Sequence, residues 1–402
     1  MAINLELPRK MQAVIDKAHQ GAAEMMRPIA RKYDVHEHAY PVELDTLSNL
    51  FSGAAKSNAM ALTGAEAFRS SESKEENRNG ANMAAVLQTL EASWGDAAMM
   101  LSMPYQDLGN AAISGVATDE QLNRLGRVWA AMAITEPSFG SDSAAVSTTA
   151  RLDGDEYVIN GEKIFVTAGS RATHIVVWAT LDKSLGRPAI KSFIVPREHP
   201  GVSVERLEKK LGIKGSDTAV IRFDNVRIPK DNLLGNPEIE SGKGFSGVME
   251  TFDNTRPVVA GMAIGIARAA FEELRKILTE AGVEISYDRP AHAQSAAAAE
   301  FLRMEADWES SYQLTLRAAW QADNKIPNSK EASMAKAKAG RVGTDITLKA
   351  VELGGTAGYS EQTLLEKWAR DSKIMDIFEG TQQIQQLVVA RRLLGLSSAE
   401  LK

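Results

Sequence analysis

A glutamate followed by a glycine, at positions 379 and 380, lies between two helical patterns near the end of the chain. Glycine after a carboxylate ends a helix, and Thr381 is a suitable N-cap for the helix that follows. A carboxylate held at such a joint inside an apolar cleft has a raised pKa and can act as a general base. The alternative is a capped helix–helix joint with a solvent-exposed glutamate, since structural carboxylates outnumber catalytic ones.

Two segments in the middle of the chain carry side chains suited to a flat polar cofactor. Residues 163–167 have the composition of a strand, and alternation places Phe165 and Thr167 on one face, as an aromatic ring beside a hydroxyl. Residues 135–142 form a turn whose hydroxyls and backbone N–H groups suit a ring edge or a phosphate. A half-buried strand and an ordinary surface turn are the alternatives.

The residue composition and apolar spacing of the chain change twice around these residues. Residues 1–126 are rich in Ala and Met at helical spacing and predict an N-terminal helical domain. Residues 127–240 hold short β-branched runs between turn signals, which predict an antiparallel β-sandwich or barrel. Residues 241–402 predict a C-terminal helical bundle. The predicted strands span 151–158, 163–167, 174–180, 192–195 and 219–223, with Asn160-Gly161 assigned to a turn.

Four apolar stripes with steps of three and four define the predicted bundle. Thr255, Arg256 and Pro257 precede its first helix, since proline is common at helix starts, and Arg256 could hold an anion or form an ion pair. The stripes contain Ile264, Ala267, Phe271, Leu274 and Leu278; Phe301, Met304, Trp308, Tyr312 and Leu316; Ala335, Ala339, Val342, Ile346 and Ala350; and Ile384, Leu387, Val388 and Leu394.

Composition excludes several classes of function. The 402 residues are 44% hydrophobic and 24% charged, with a net charge of −6, which does not suit a nucleic-acid binder. No stretch reaches the about 20 apolar residues of a membrane span, and the N-terminus lacks the apolar core of a secretory signal. There is no cysteine, the six histidines show no metal-ligand spacing, and neither GxGxxG nor a phosphate-binding P-loop occurs. A cytoplasmic location is expected.

Five segments together resemble the acyl-CoA dehydrogenase family. They are ITEPSFGSD at 134–142, NGEKIFVTAG at 160–169, KLGIKGSDTAVIRFDNVRIPKDNLLG at 210–235, FDNTRPVVA at 252–260 and RDSKIMDIFEGTQQIQ at 370–385. They span residues 134–385, and the resemblance is taken to extend over about 390 residues. The resemblance implies the family fold of N-terminal helical domain, β-domain and C-terminal four-helix bundle, with FAD as cofactor.

The resemblance also implies a role for each matching residue. Glu379 would abstract the α-proton. Some relatives instead place this base at the residue just before the arginine that matches Arg256, and here that residue is Thr255. Thr167 would hydrogen-bond flavin N5, with Phe165 replacing the usual tryptophan. The remaining predicted contacts are Thr135, Ser141, Gly380, Thr381 and Gln383 for the cofactor and Ser141, Asp253, Arg256 and Phe378 for the substrate. No metal is implied.

The implied reaction is α,β-dehydrogenation of an acyl-CoA to the trans-2-enoyl-CoA, with the β-hydride passing to FAD and electrons to electron transfer flavoprotein. The 252–260 match resembles medium-chain enzymes, and steroid side-chain thioesters are also open as substrates. An acyl-CoA oxidase, and a non-catalytic subunit of a larger dehydrogenase, are the alternatives.

Two departures from the family pattern concern the neighbouring subunit. The R-x-x-F-G motif, whose arginine reaches the FAD of a neighbouring subunit in the family, is missing from residues 279–289, and Val351 replaces a glutamine with a similar role. The chain therefore keeps the residues that would contact its own flavin and lacks those that would contact the flavin of a neighbouring subunit. An α2β2 assembly with a related subunit would explain this, and a homotetramer in which Arg289 substitutes is the alternative.

Overall fold

The computed structural model describes residues 9–55, 80–105, 108–126, 128–239, 246–396 and 400. In these ranges helices precede and follow a seven-stranded sheet, which confirms a mainly helical fold with a central β-domain. The boundaries drawn at 126 and 240 stay predictions. The helices before the sheet are α1 (Arg9–Gly21), α2 (Ala30–Val35), α3 (Glu43–Ala55), α4 (Ala81–Leu101), α5 (Leu108–Val116) and α6 (Asp119–Leu125).

The sheet has the strand order β1-β4-β2-β3-β7-β6, with β5 paired to β4. Most neighbours are antiparallel, but β4 runs parallel to β1 and β2, so the prediction of a purely antiparallel sheet is wrong. Its β-branched and aromatic side chains form a buried core of their own. The strands are β1 (Ala130–Ala133), β2 (Thr149–Asp153), β3 (Glu156–Thr167), β4 (His174–Thr180), β5 (Ile190–Pro196), β6 (Val202–Leu207) and β7 (Thr218–Pro229).

Four details of the sheet differ from the sequence-based assignment. The predicted strand 151–158 runs across the turn between β2 and β3, and β1 was not predicted. β3 continues through Asn160 and Gly161, where the register with β7 shifts, so these residues form an irregularity within the strand instead of a turn. β6 was not predicted either, because its apolar residues Val202, Val204 and Leu207 are only half-buried and a register shift after Val204 interrupts their alternation.

The C-terminal bundle confirms the stripes of its first and third helices, whose predicted core residues are all buried. Phe301, Met304 and Leu316 of the second stripe are buried, while Trp308 and Tyr312 are partly buried. Among the described residues, no helix has the length and apolar character needed to cross a membrane. The helices after the sheet are α7 (Ser246–Glu280), α8 (Ala296–Asp323), α9 (Ser329–Tyr359), α10 (Leu365–Ser372) and α11 (Gln382–Leu394).

One prediction about the bundle helices is wrong and another is only partly confirmed. Pro257 lies inside α7, which begins eleven residues earlier, and the ring leaves the carbonyl four residues back without its helical donor. The fourth stripe is only partly internal. Val388 is buried, but Leu387 and Leu394 are 46% and 66% exposed, so one face of α11 carries apolar side chains at the surface of the chain.

A buried lysine joins the three domains. Lys367 of α10 donates at 2.5 Å to Asp96 of α4 and to Asp371, and the second oxygen of Asp371 accepts from the backbone N–H of Ile213 in the β-domain at 2.5 Å. Burial alone would favour the neutral amine, but the two carboxylates outweigh it and raise the pKa of Lys367. Asp96 reaches the lysine because α4 is kinked there, with φ −168° and ψ 126°.

We expect Lys367→Met to destabilise the chain strongly, because it leaves two carboxylates buried without their cation. Removing one partner of a buried ion pair costs about 3–5 kcal/mol. Urea unfolding followed by circular dichroism measures the change. Lys276→Met, at an exposed lysine of α7 that pairs only within its own helix, is the control and should unfold at the wild-type urea concentration. Equal loss in both variants would contradict the role of Lys367.

Candidate active site

The joint between α10 and α11 holds two consecutive residues in left-handed backbone conformations. Glu379 has φ 55° and Gly380 has φ 87°. For a residue with a Cβ this conformation costs about 1–2 kcal/mol, so the surrounding structure must hold it in place. A Cβ at Gly380 would also lie 2.3 Å from Nε2 of Gln385, so this position requires glycine.

Hydrogen bonds from three directions fix the joint. The buried Gln385 of α11 donates its side-chain amide to the carbonyl of Glu379 at 3.0 Å and to that of Gly380 at 3.3 Å. The hydroxyl of Thr381 accepts from the N–H of Ile384 and caps α11, as the sequence predicts. Lys336 of α9 donates to the carbonyl of Gly380 at 2.6 Å. The backbone of Glu379 is thus held in place independently of the contacts that its side chain makes.

The carboxylate of Glu379 faces α7. The hydroxyl of Thr255 donates to it at 3.0 Å, and Glu379 itself is half-buried. Burial raises the pKa of Glu379, against the hydrogen bond from Thr255 and the positive charges of Arg256 and Lys336, which lower it. The joint is capped, as the alternative interpretation also expects, but the carboxylate is half-buried and hydrogen-bonded instead of fully solvated.

Two buried cations border the carboxylate. Arg256, only 3% exposed, lies next to Thr255 on α7 and points a guanidinium nitrogen at the hydroxyl of Ser333, 3.4 Å away. Lys336, 1% exposed, has its pKa lowered to about 8 by burial, with Glu379 and Asp376 opposing the shift. A carboxylate whose pKa is raised by burial, beside fixed positive charge, is suited to general acid–base chemistry.

A second group of predicted residues lies at the end of β3. Phe165 is 59% exposed with φ 59°, and the next residue, Val166, is buried, so Phe165 and Thr167 share the open face of the strand. Thr135 lies beside them, because its carbonyl accepts from the N–H of Ile164 at 2.9 Å. An exposed aromatic ring among threonine hydroxyls fits the face and edge of a flat heteroaromatic cofactor.

A buried ion pair holds these two segments together. Glu136 accepts from Nζ of Lys163 at 2.8 Å, and also from the backbone and hydroxyl groups of Ser147 and Thr148. Burial raises the pKa of Glu136, but the charge and hydrogen bonds of its partners outweigh this and bring it to about 2. Burial lowers the pKa of Lys163 to about 8, with Glu136 opposing. Both groups are therefore ionised at neutral pH.

The other predicted site residues are more dispersed. Ser141 and Gln383 are exposed, and Phe378 packs partly buried against the core of the bundle. Asp253 lies in α7, but its side chain is outside the described residues. Hydrogen bonds thus join Glu379, Gly380 and Thr255 in the bundle, and Thr135 to β3 in the β-domain, while Ser141 and Gln383 lie at the surface of the chain.

Comparison with known proteins decides the family. The acyl-CoA dehydrogenase middle-domain model matches residues 131–226, and the C-terminal-domain model matches residues 242–394. A "3-(aryl)acrylate reductase" of Clostridium sporogenes is 35% identical over 315 residues, which are 77% of this chain and 81% of that protein. The chain belongs to the acyl-CoA dehydrogenase family.

Two further acyl-CoA dehydrogenases are similar to this chain. The mitochondrial short-chain specific enzyme of Bos taurus is 42% identical over 262 residues, 65% of this chain, and the match spans 62% of the bovine protein's length. The butyryl-CoA dehydrogenase structure from Megasphaera elsdenii superimposes with a TM-score of 0.83 at 28% identity, and the alignment covers 98% of this chain and all of that one. The acyl-CoA dehydrogenase fold thus extends over nearly the whole chain.

Sequence reasoning missed three charged residues of this candidate site. Glu136 and Lys163 lie inside the quoted family segments, but a surface turn and a strand gave no reason to pair them. Lys336 carries a clearer signal: it follows Ala332 and precedes Ala339 and Gly343 on the inner face of α9. A lysine in an apolar stripe needs a buried partner, which this pattern could have indicated.

We expect the Glu136–Lys163 pair to stabilise the acyl-CoA dehydrogenase chain in a pH-dependent way. The folded-state pKa of Glu136 is about 2 against an ordinary 4.5, so its contribution is complete above pH 4.5 and is lost as pH falls towards 2. Glu136→Gln removes that contribution. The difference in free energy of unfolding between wild type and variant should therefore shrink between pH 7 and pH 3.5.

Urea unfolding across that pH range measures the difference. Glu238→Gln, at an exposed carboxylate near the end of the β-domain, is the control and should unfold like the wild type at every pH. A difference for Glu136→Gln that does not vary with pH would contradict the assignment of the ion pair.

Proposed function

We propose that this chain is an FAD-dependent acyl-CoA dehydrogenase in which Glu379 abstracts the α-proton of an acyl-CoA thioester. The observation that carries the proposal is the carboxylate of Glu379, which has a raised pKa and is held by its backbone at the α10–α11 joint. Membership of the acyl-CoA dehydrogenase family supports the reaction class. The products would be a trans-2-enoyl-CoA and a reduced flavin.

The fixed backbone of Glu379 serves the proton transfer. A general base works only when its oxygen lies within hydrogen-bond reach of the proton it takes, and the left-handed turn gives this carboxylate one location. By resemblance to the family, the backbone N–H of Glu379 would donate to the thioester oxygen and so lower the pKa of the α-proton. One such preorganised donor is worth about 2.7–4 kcal/mol.

The residues at the end of β3 fit the flavin. Phe165 would pack against the ring, and the hydroxyls of Thr167 and Thr135 would bond its polar edge. Bound FAD would supply the acceptor for the β-hydride. The Glu136–Lys163 pair would keep the two flavin-contacting segments in register. Ser141, Gly380, Thr381 and Gln383 are proposed to contact the rest of the cofactor, and Ser141, Asp253, Arg256 and Phe378 the substrate.

The proposed substrate class rests on Arg256 and on the named relatives. Arg256 is buried next to the base, so its charge would act close to the thioester instead of at the protein surface. The bovine relative is named short-chain specific and the structural neighbour is a butyryl-CoA dehydrogenase. Short acyl-CoA thioesters are therefore the first substrates to test. Electron transfer flavoprotein is the proposed acceptor of the electrons.

We infer that the working assembly pairs this chain with a related subunit. Arg289, the residue that could replace the missing R-x-x-F-G arginine, is paired with Glu284 of its own loop at 2.6 Å. The exposed Leu387, Leu393 and Leu394 of α11 provide an apolar surface that an assembly would cover. A homotetramer is the alternative.

We expect Glu379→Gln to lower the rate of substrate-dependent flavin bleaching by about 10³-fold or more, because the amide cannot take the α-proton. Anaerobic stopped-flow spectroscopy with acyl-CoAs of increasing length, starting from butyryl-CoA, measures the rate. Glu361→Gln, at an exposed carboxylate of the α9–α10 loop, is the matched control and should bleach like the wild type. Bleaching at the wild-type rate by Glu379→Gln would refute the base assignment.

The assembly is tested by purifying the chain alone and recording its mass by light scattering together with its visible spectrum. Colourless protein that gains flavin bands only when a related subunit is co-expressed is the expected result. A yellow homotetramer with one FAD per chain would refute the mixed assembly. In that case Arg289→Ala should lower its flavin content, whereas Arg275→Ala, on the neighbouring helix, should not.

A further inference from the structure

One buried ammonium group is not explained by the packing of the bundle. Lys336 lies on the inner face of α9 among alanine and glycine residues, and its side chain is 1% exposed. Lysine is almost never buried to this degree without a partner of fixed geometry. Its Nζ donates to one backbone carbonyl, that of Gly380, at 2.6 Å. The bond thus joins the middle of α9 to the residue that follows Glu379.

The carbonyl that Lys336 holds belongs to the left-handed pair at the joint. Glu379 and Gly380 have φ of 55° and 87°, and the side-chain amide of Gln385 holds both of their carbonyls from the opposite side. Gly340, one turn along α9, lets the chain before the joint approach closely, because a Cβ there would lie 2.7 Å from the carbonyl oxygen of Met375. The base is thereby fixed to α9 by direct contact.

The charges around the carboxylate come from each element that faces it. α7 contributes Arg256 and the hydroxyl of Thr255, and α9 contributes Lys336. On the turn before the joint, Asp376 acts on Lys336, and its own charge is shared with Lys373 at 3.1 Å and Arg341 at 3.9 Å. Lys336 is the positive group that both bonds the backbone of the joint and acts on the charge of Glu379.

We propose that Lys336 is a positioning residue for the Glu379 base: its ammonium fixes the Glu379–Gly380 backbone and its charge favours the ionised carboxylate. This inference rests on the proposed function, in which Glu379 takes the α-proton. Removing the charge makes the carboxylate easier to protonate. The acidic limb of the kcat profile then moves to higher pH, since a nearby opposite charge lowers a carboxyl pKa by about 1–3 units.

The test compares the pH dependence of kcat for two changes at the joint. Lys336→Met removes both charge and donor, and we expect kcat to fall about 10-fold or more and the acidic limb to rise by about one pH unit. Gln385→Leu removes the uncharged support of the same carbonyls, and we expect it to lower kcat without moving the limb. Lys338→Met, at a partly exposed lysine of α9 that pairs with Asp307, is the control and should keep the wild-type profile.

The midpoint of the acidic limb distinguishes loss of the Lys336 charge from partial unfolding of the variant. A fraction of inactive molecules that is constant with pH lowers the rate equally at every pH and does not shift the midpoint, and circular dichroism at each pH checks that the folded fraction is constant. If Lys336→Met does not fold, Lys336→Gln, which keeps an uncharged donor on a side chain one atom shorter, carries the same measurement. An unshifted limb in the folded variant would overturn the inference.

Failure of this inference and failure of the proposed function give different results. Wild-type activity in Glu379→Gln would refute the base itself. An inactive Glu379→Gln together with an unshifted limb in the Lys336 variants would refute only the positioning role.

Discussion

The ammonium of Lys367 is the point on which the three domains depend. It lies between a carboxylate of the N-terminal domain and one of the bundle, and the second of these also binds a backbone N–H of the β-domain. Each contact is buried, so the loss of one partner would leave a buried charge without compensation. The ion cluster therefore ties elements of all three domains to α10. The joint that carries Glu379 follows the C-terminal end of that helix and its terminal turn.

The same principle recurs on a smaller scale at the two proposed halves of the active site. The Glu136–Lys163 pair ties the turn of the β-domain to β3, and Lys336 ties the joint to α9. In each case a buried cation holds a segment of irregular backbone. Irregular segments leave polar groups without partners, and a buried ion bonded to several of them satisfies the requirement in a small volume. The acyl-CoA dehydrogenase fold uses regular elements as supports and buried charge to place the segments between them.

The fold was largely predictable for elements that bury one face, because their apolar residues then recur at a regular spacing. The stripe from Ala335 to Ala350 specified α9, and the β-branched run 174–180 coincides with β4. Failures occurred where tertiary contacts override local signals. Asn160-Gly161 has the composition of a turn, yet pairing with β7 carries the strand through it. Pro257 resembles a helix start but lies inside α7, and Leu394 fits the stripe of a helix face that this chain leaves exposed.

The candidate site was predictable only as far as local chemistry reaches. The glycine after Glu379 and the cap at Thr381 indicate the joint from neighbouring residues alone. The supports of that joint could not be found this way, because Lys336 lies 44 residues before the carbonyl it bonds and Thr255 lies 124 residues before Glu379. Such pairings depend on which helices become neighbours, and local periodicity carries no information about that choice.

The apolar face of α11 links assembly to the chemistry of the joint. α11 begins two residues after Gly380, and its first turn contains Gln385, which holds the carbonyl of Glu379. Leu387 follows two residues later on the exposed side. A subunit that covers Leu387, Leu393 and Leu394 would therefore contact the same short helix that orients Glu379. If a subunit proposed to cover this face dissociated on dilution, α11 would lose that contact, and turnover per chain would fall with protein concentration while the helical content stayed constant.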